Sequence, residues 1–346
     1  MQNYLLLISK YRGALMGIAI LWVMMFHLPI KTSLPVVYSV ISVGYGGVDI
    51  FLFLSGLGLY FSLSKGDVKL SQYYKKRFCR ILPEFWFFLL ITYIISLDFN
   101  LHSFSNLIYR ATTIGYWIPH TPYNLWYISC ILFLYAIFPI YFKLFSKYGL
   151  KISAITITLG LALTTIYAIV AIFYFENNLS DNSLIFTISR IPIFFIGSIF
   201  GYYIKKPSTI HLTKKRIAII LLTFIISIGA LEYFIHYYKA YLLTCSLYFL
   251  PFIIITPVLC IILALIMEKL PQIISMTLTK IGALSLELYI VHEYIYRELI
   301  PDLTNKCGEA LTVMIVITLS FVAAIVLYNI NKFFLQKYFR KILNLS

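Results

Sequence analysis

Along the chain, long apolar runs alternate with short polar or charged breaks. The runs cover 13–30, 44–63, 81–97, 124–142, 152–174, 186–204, 217–235, 243–266, 280–297 and 311–331. Each is close to the ~20 residues an α-helix needs to cross ~30 Å of hydrocarbon. They are continuous and do not switch side at every second position, so a membrane β-barrel is excluded. The predicted fold class is all-α: a polytopic integral membrane protein of about ten transmembrane helices, forming a single domain over 1–346.

Composition agrees. The chain is 61% apolar and 12% charged, against about 45–50% and 25% in soluble globular proteins. A soluble enzyme, a disordered chain, a collagen and a secreted disulfide scaffold are all excluded. The net charge of +15 would suit nucleic-acid binding in a soluble protein, but in a membrane protein Lys and Arg collect in cytoplasmic loops. With both termini placed in the cytoplasm, all but six of the 28 basic residues fall in inside segments. The exceptions are Lys31, Arg110, Arg190, Lys239, Arg297 and Lys306. A wrong number of spans would scramble this alternation. Cys79, Cys130, Cys245, Cys260 and Cys307 show no paired spacing, so neither a disulfide framework nor a metal site is expected. The start, MQNYLLLISKYRG, has no basic residue before its apolar run and is read as retained. No internal repeat of transporter type is found.

Ionisable groups inside spans are expensive and mark function by default. His27 lies about three residues inside the outer end of the first span, Asp49 about five inside the second, Arg190 about four inside the sixth and His292 about five inside the ninth. These depths put all four in one layer, and the short first connection brings His27 and Asp49 close enough to pair. Glu287 lies deeper, and Trp126 and Tyr127 stand at the outer mouth of the fourth span. Plainer readings stand beside these: a lone His as a helix–helix hydrogen-bonding group, Arg190 snorkelling to headgroups, Glu287 as an interhelical contact. The loop at 98–122, with His102, Arg110 and His120, is a candidate cap over a cavity. On the inner side QYYKKRFCRILPEFW gathers Lys75, Lys76, Arg77 and Arg80, which either anchor the topology or grip phosphates of a polyanionic ligand. The glycine-rich run GYGGVDIFLFLSGLGLY lets helices approach closely. No phosphate-binding P-loop, dinucleotide fingerprint or HExxH is present.

MGIAILWVMMFH, GYGGVDIFLFLSGLGLY, YYKKRFCRILP, NLWYISCILFLYAIFP, RIPIFFIGSIFG and IGALSLELYIVH, in that order, resemble the acyltransferase 3 family of bacterial membrane proteins over about residues 10–295. That resemblance implies O-acylation of a cell-surface polysaccharide or glycan precursor, with acetyl-CoA as donor and a location in the bacterial inner membrane. The family places an Arg eleven residues before a His in the first helix. The His is His27, but Met16 stands at the Arg position, and Arg12, one turn earlier on roughly the same face, is expected to take its role. The family's fourth-helix Glu is replaced here by apolar sequence after Trp126.

The expected mechanism has His27 as general base or acyl relay, Asp49 orienting it, and Arg190 or His292 stabilising the oxyanion or the sugar. Arg12, Lys75, Lys76, Arg77 and Arg80 would hold the phosphates of acyl-CoA, and Trp126, Tyr127 and Glu287 the acceptor. The expected partners are the lipid bilayer, acyl-CoA, a glycan or lipid-linked sugar and polysaccharide-synthesis proteins, with no nucleic acid and no metal. Two competing readings stay open: a transporter or flippase of lipid-linked sugars, and a non-catalytic partner in polysaccharide synthesis.

Overall fold

A computed structural model describes residues 2–30, 34–66, 68–96, 100–117, 125–174, 184–206, 213–245 and 249–335. Among them there is no strand. The helices are α1 (Gln2–Lys10), α2 (Arg12–His27), α3 (Pro35–Ser42), α4 (Gly46–Leu63), α5 (Leu70–Ser96), α6 (Leu101–Ala111), α7 (Ile114–Trp117) and α8 (Trp126–Tyr148). They continue with α9 (Leu150–Tyr174), α10 (Leu184–Ile188), α11 (Ile191–Lys205), α12 (Lys214–Cys245), α13 (Phe252–Lys269), α14 (Gln272–Ala283), α15 (Ser285–Cys307) and α16 (Glu309–Ile330), which runs into a π-helical turn, Asn331–Leu335. Among the described residues eight helices are long and apolar enough to cross a membrane, or ten if each of two bent pairs is one span. This is a multi-pass membrane protein.

Among the described residues three spans are broken. The first bends by 71° between α1 and α2, and the ninth by 67° between α14 and α15. The sixth is interrupted at Ser189 and Arg190, ahead of Pro192 in the first turn of α11. Proline has no N–H for the carbonyl four residues earlier, here that of Ile188, and its ring crowds that carbonyl, so the helix breaks ahead of it; in a first turn the missing N–H costs nothing. Two further departures concern helix length. The third span was expected from 81, yet α5 begins at Leu70, so the basic cluster rides on the helix's first turns. The segment expected as a loop at 98–122 contains α6 and α7, with Asn100 capping α6 by accepting the Ser103 N–H at 2.8 Å. His120 and the basic residues Lys337, Arg340 and Lys341 lie outside the described residues.

α4 is the central element: 15 of its 18 residues are buried, as expected of a helix apolar all round. Its glycines explain how neighbours reach it. A side chain at Gly56 would run into the Phe194 carbonyl, and one at Gly197 of α11 into the Phe53 carbonyl. The same device joins α2 to α14, where a Cβ on Gly17 would strike the Leu278 carbonyl and one on Gly282 the Gly13 carbonyl. Backbones thus touch directly, the close approach small residues permit in membranes. At the periphery the candidate spans of α9 and α12 are only 22% and 11% buried. Ile219, Leu222, Ile225 and Ile226 of α12 point outward, an arrangement suited to lipid chains and costly against water.

Valine at Gly56 or Gly17 therefore forces the α4–α11 or α2–α14 crossing apart. Overpacking of this kind costs about 1–3 kcal/mol or more, so recovery of monodisperse protein in detergent falls sharply. Gly229→Val is the control, because nothing lies within 4 Å of the added Cβ; equal yields for all three variants would show that these crossings do not hold the bundle together.

Candidate functional site

α2 is the spine of the site, because it carries Arg12 near one end and His27 at the other, 15 residues or about 22 Å apart along its axis. Around Arg12 lies a small, partly open cleft, with a cavity volume of about 50 Å³, lined by Arg12, Arg77 and Arg80 together with Met16, Phe51, Tyr127, Tyr135, Leu286 and Tyr289, among others. Three arginines converge there, and no carboxylate is among the lining residues. The Nε atoms of Arg12 and Arg77 are buried without a hydrogen-bond partner. Arg12 and Arg77 are half-buried and Arg80 is exposed, with Glu84 and Glu287 within electrostatic reach of Arg80; three guanidinium groups on one wall suit an anionic ligand. Met16 and Arg12 line the same cleft, so an arginine at either position would reach it. Gly58 makes the room: a Cβ there would lie 2.7 Å from an Arg12 Nη atom.

The helix carrying Arg77 and Arg80 is fastened in an unexpected way. Pro139, inside α8, has no N–H to give, so the carbonyl of Tyr135 four residues earlier loses its helical donor. The Tyr73 hydroxyl donates to that carbonyl at 3.0 Å, and the Tyr74 hydroxyl donates to the Ala136 carbonyl at 2.9 Å. Arg77 then sits 5.8 Å from the ring centres of both Tyr73 and Tyr135. Arg77 and Arg80, one turn apart, face the cleft; Lys75 and Lys76 are not among its lining residues, because helical spacing turns them away.

At the other end of α2, His27 and His292 meet, with His292 Nε2 and His27 Nδ1 3.3 Å apart. Carbonyl oxygens accept only, which sets the tautomers. His292 Nδ1 lies 2.8 Å from the Leu288 carbonyl and so carries its proton, leaving Nε2 bare. His27 Nδ1 lies 3.0 Å from the Val23 carbonyl, carries its proton likewise, and faces the bare His292 nitrogen. The lone pair of His27 is therefore on Nε2. His292 is fully buried while His27 stays partly open to its surroundings.

The expected pairing of His27 with Asp49 does not form. Asp49 faces Arg190 instead, at 3.7 Å, both almost fully buried. Adjacent spans share depth, but the close α4–α11 crossing turns Asp49 toward the break before α11. The Arg190 guanidinium lies 3.6 Å from the Phe249 ring centre and 4.7 Å from that of Trp126, and its Nη1 donates to the Phe186 carbonyl at 3.3 Å. Arg190 is therefore no snorkelling residue, and Trp126 packs on it instead of standing open at a mouth. Glu287, adjacent to the cleft residue Leu286, is not among the lining residues, although it lies within electrostatic reach of Arg80. It faces Glu84 of α5, whose Oε2 accepts from Asn331 Nδ2 at 2.7 Å. The layer of four polar residues thus resolves into two pairs, and Glu287 into a contact between α15, α5 and the end of α16. Sequence reasoning missed Gly58, Tyr73, Tyr74, Glu84 and Tyr289; only Tyr289 left a usable signal, one helical turn before His292.

The sequence profile of the family described as an acyltransferase domain, acyltransferase 3, matches residues 14–329. The chain belongs to the acyltransferase 3 family. No curated protein and no solved structure matches it. The matched stretch takes in His27, the whole lining of the cleft except Arg12, and both buried pairs, so this acyltransferase 3 member carries nearly its entire site within the family domain.

The Asp49–Arg190 pair has a direct test. Removing one partner of a buried pair strands the other and costs about 3–5 kcal/mol, whereas replacing both with apolar groups is close to neutral. Asp49→Leu and Arg190→Met singly should each lower the melting temperature in detergent, and the double variant should regain most of the loss. Single variants that melt like the native protein would remove the pair from the structural account.

Proposed function

We propose that the protein transfers an acyl group, acetyl in the first instance, from acyl-CoA to a hydroxyl of a cell-surface glycan or its lipid-linked precursor. One observation carries the reading: a single helix, α2, presents Arg12 to an arginine cleft lacking a carboxylate and His27, with a free Nε2 lone pair, to a histidine pair at its far end. Guanidinium groups bind phosphate oxygens through paired, directional hydrogen bonds, and the phosphates of coenzyme A supply several. The lysine- and arginine-rich end of the bundle is read as cytoplasmic by the positive-inside pattern, where such a donor is available.

The chemistry needs a base, because a sugar hydroxyl is protonated at neutral pH. His27 Nε2 accepts that proton while the hydroxyl oxygen attacks the thioester carbonyl carbon. The C–S bond breaks, and the proton passes from His27 to the leaving thiolate. During this exchange the imidazolium holds its Nδ1 proton toward the bare Nε2 of His292, so His292 does the orienting that an acidic residue performs in other triads. Asp49 and Arg190 brace the neighbouring helices and are not assigned to proton transfer. The thioester arm of the donor spans much of the ~22 Å between Arg12 and His27.

Purified protein in detergent, given acetyl-CoA and an oligosaccharide acceptor and read by mass spectrometry, tests this. His27→Ala should lower transfer by about 10²–10⁴-fold with donor binding intact. Arg77→Ala should weaken donor binding roughly 10- to 100-fold, the worth of one lost hydrogen bond to a charged group. Retained transfer in His27→Ala would sink the base assignment, and glycan movement across vesicles without acyl transfer would favour a transporter.

A further inference from the structure

Two carboxyl groups stand outside the arginine cleft but within reach of it. Arg80 and Ile81 of α5, and Ser285 and Leu286 of α15, line the cleft. Glu84 lies four residues on from Arg80, on the same face of α5, and Glu287 follows Leu286 on α15. Glu84 is 1% exposed and Glu287 4%, and their carboxyl groups are in hydrogen-bonding contact. Asn331, buried at the start of the π-helical turn after α16, donates from Nδ2 to Glu84 Oε2 at 2.7 Å. Both carboxyls lie within electrostatic reach of Arg80.

Carboxylate oxygens only accept, so a contact between two carboxyls requires a proton between them. Shut off from water, the pair therefore carries one negative charge or none. The proton that separates those two states is the one free to come and go. Few charged groups bear on it. Arg80 reaches it from α5, and each carboxyl faces the other across α5 and α15. The end of α16 presents the neutral Asn331, while Lys332 turns to the Tyr328 and Phe333 rings. Arg80 and Arg77 lie within electrostatic reach of Arg12, so in the empty cleft three guanidinium groups repel one another. One negative charge on the pair offsets part of that repulsion. An anion in the cleft meets the same guanidinium groups from the other side and takes over this task, leaving the charge on the pair uncompensated.

We infer that the Glu84–Glu287 pair takes up a proton when the phosphates of the donor enter the arginine cleft, so that donor binding and proton uptake are linked through Arg80. The inference rests on the donor-binding part of the acyl-transfer reading above. The step balances simply: a proton from water joins the singly charged pair, one O–H bond forms on the bare carboxylate, and no other bond changes. Glu84 and Glu287 are thus positioning residues, which act on the donor through Arg80 and touch neither the donor nor the reacting atoms. Because the proton is gained on binding, affinity for the donor rises as pH falls.

Isothermal titration calorimetry of coenzyme A into the full-length protein in detergent, at about pH 7 in buffers of different ionisation enthalpy, counts the protons taken up per ligand bound. Protons belonging to the coenzyme A phosphates are common to all variants and cancel in the comparison. The native protein should take up roughly 0.3–1 proton more than Glu84→Gln/Glu287→Gln, which has no carboxyl left in the pair. A purely structural pair would change the affinity and leave the proton count alone. Arg80→Gln, at an exposed position, cuts the link from the other side and should lose the same uptake, which covers the case in which the double variant does not fold. A proton count in the folded variants equal to or above the native one overturns the linkage while leaving donor binding standing. A native protein that binds no coenzyme A overturns both.

Discussion

Two backbone-on-backbone helix crossings set the rest of this structure. In a bilayer the hydrophobic effect drives helices in but does not pull them together, so association depends on close packing and on polar contacts. Gly56 and Gly197 let α4 and α11 touch at their peptide groups, and Gly17 and Gly282 do the same for α2 and α14. Once those pairs are locked, the directions of α4 and α2 are no longer free, and every polar side chain on them acquires its neighbour by consequence. Asp49 turns to Arg190, and His27 reaches His292 on the helix that continues from α14.

The buried polar groups then sort by what faces them. Asp49 and Arg190 hold one another under two aromatic rings, and Glu84 is bound by Asn331. Arg12 and Arg77 face other cations: they line a cleft with Arg80, and no carboxylate is among its lining residues. The hydroxyls of Tyr73 and Tyr74 show how much arrangement that cleft receives, since they take up carbonyls next to a proline and tie the arginine helix to α8. The proline in α8, which leaves a carbonyl without its helical donor, becomes the anchor point for the helix that carries Arg77 and Arg80.

Much of this was legible without coordinates, because the membrane imposes local rules. Span number follows from apolar runs of hydrocarbon length, and depth follows from 1.5 Å per residue along a helix. His27, His292, Asp49 and Arg190 stood out because charge and polarity inside lipid are expensive wherever the chain goes next. Arg12 stood out because it lies one turn from the position where the family has its arginine. Helix starts were read less well, as with α5, since a run of Tyr, Lys and Arg is as good a helix former as the apolar stretch it precedes.

Partners could not be read in this way. The contact between His27 and His292 joins residues 265 positions apart, and sequence spacing says nothing of which face of one helix meets which face of another. Equal depth made a His27–Asp49 pair reasonable, and only the azimuth of α4, set by its glycines against α11, turned Asp49 elsewhere. The same holds for Glu287, which faces Glu84 of α5, and for Tyr289, whose hydroxyl meets the Tyr127 N–H only once α8 and α15 are packed. By itself, then, the sequence determined the membrane fold class, the family and the chemistry available at each depth. The tertiary structure decided the pairings, because a helix's depth is local to it but its neighbours depend on where backbones can touch.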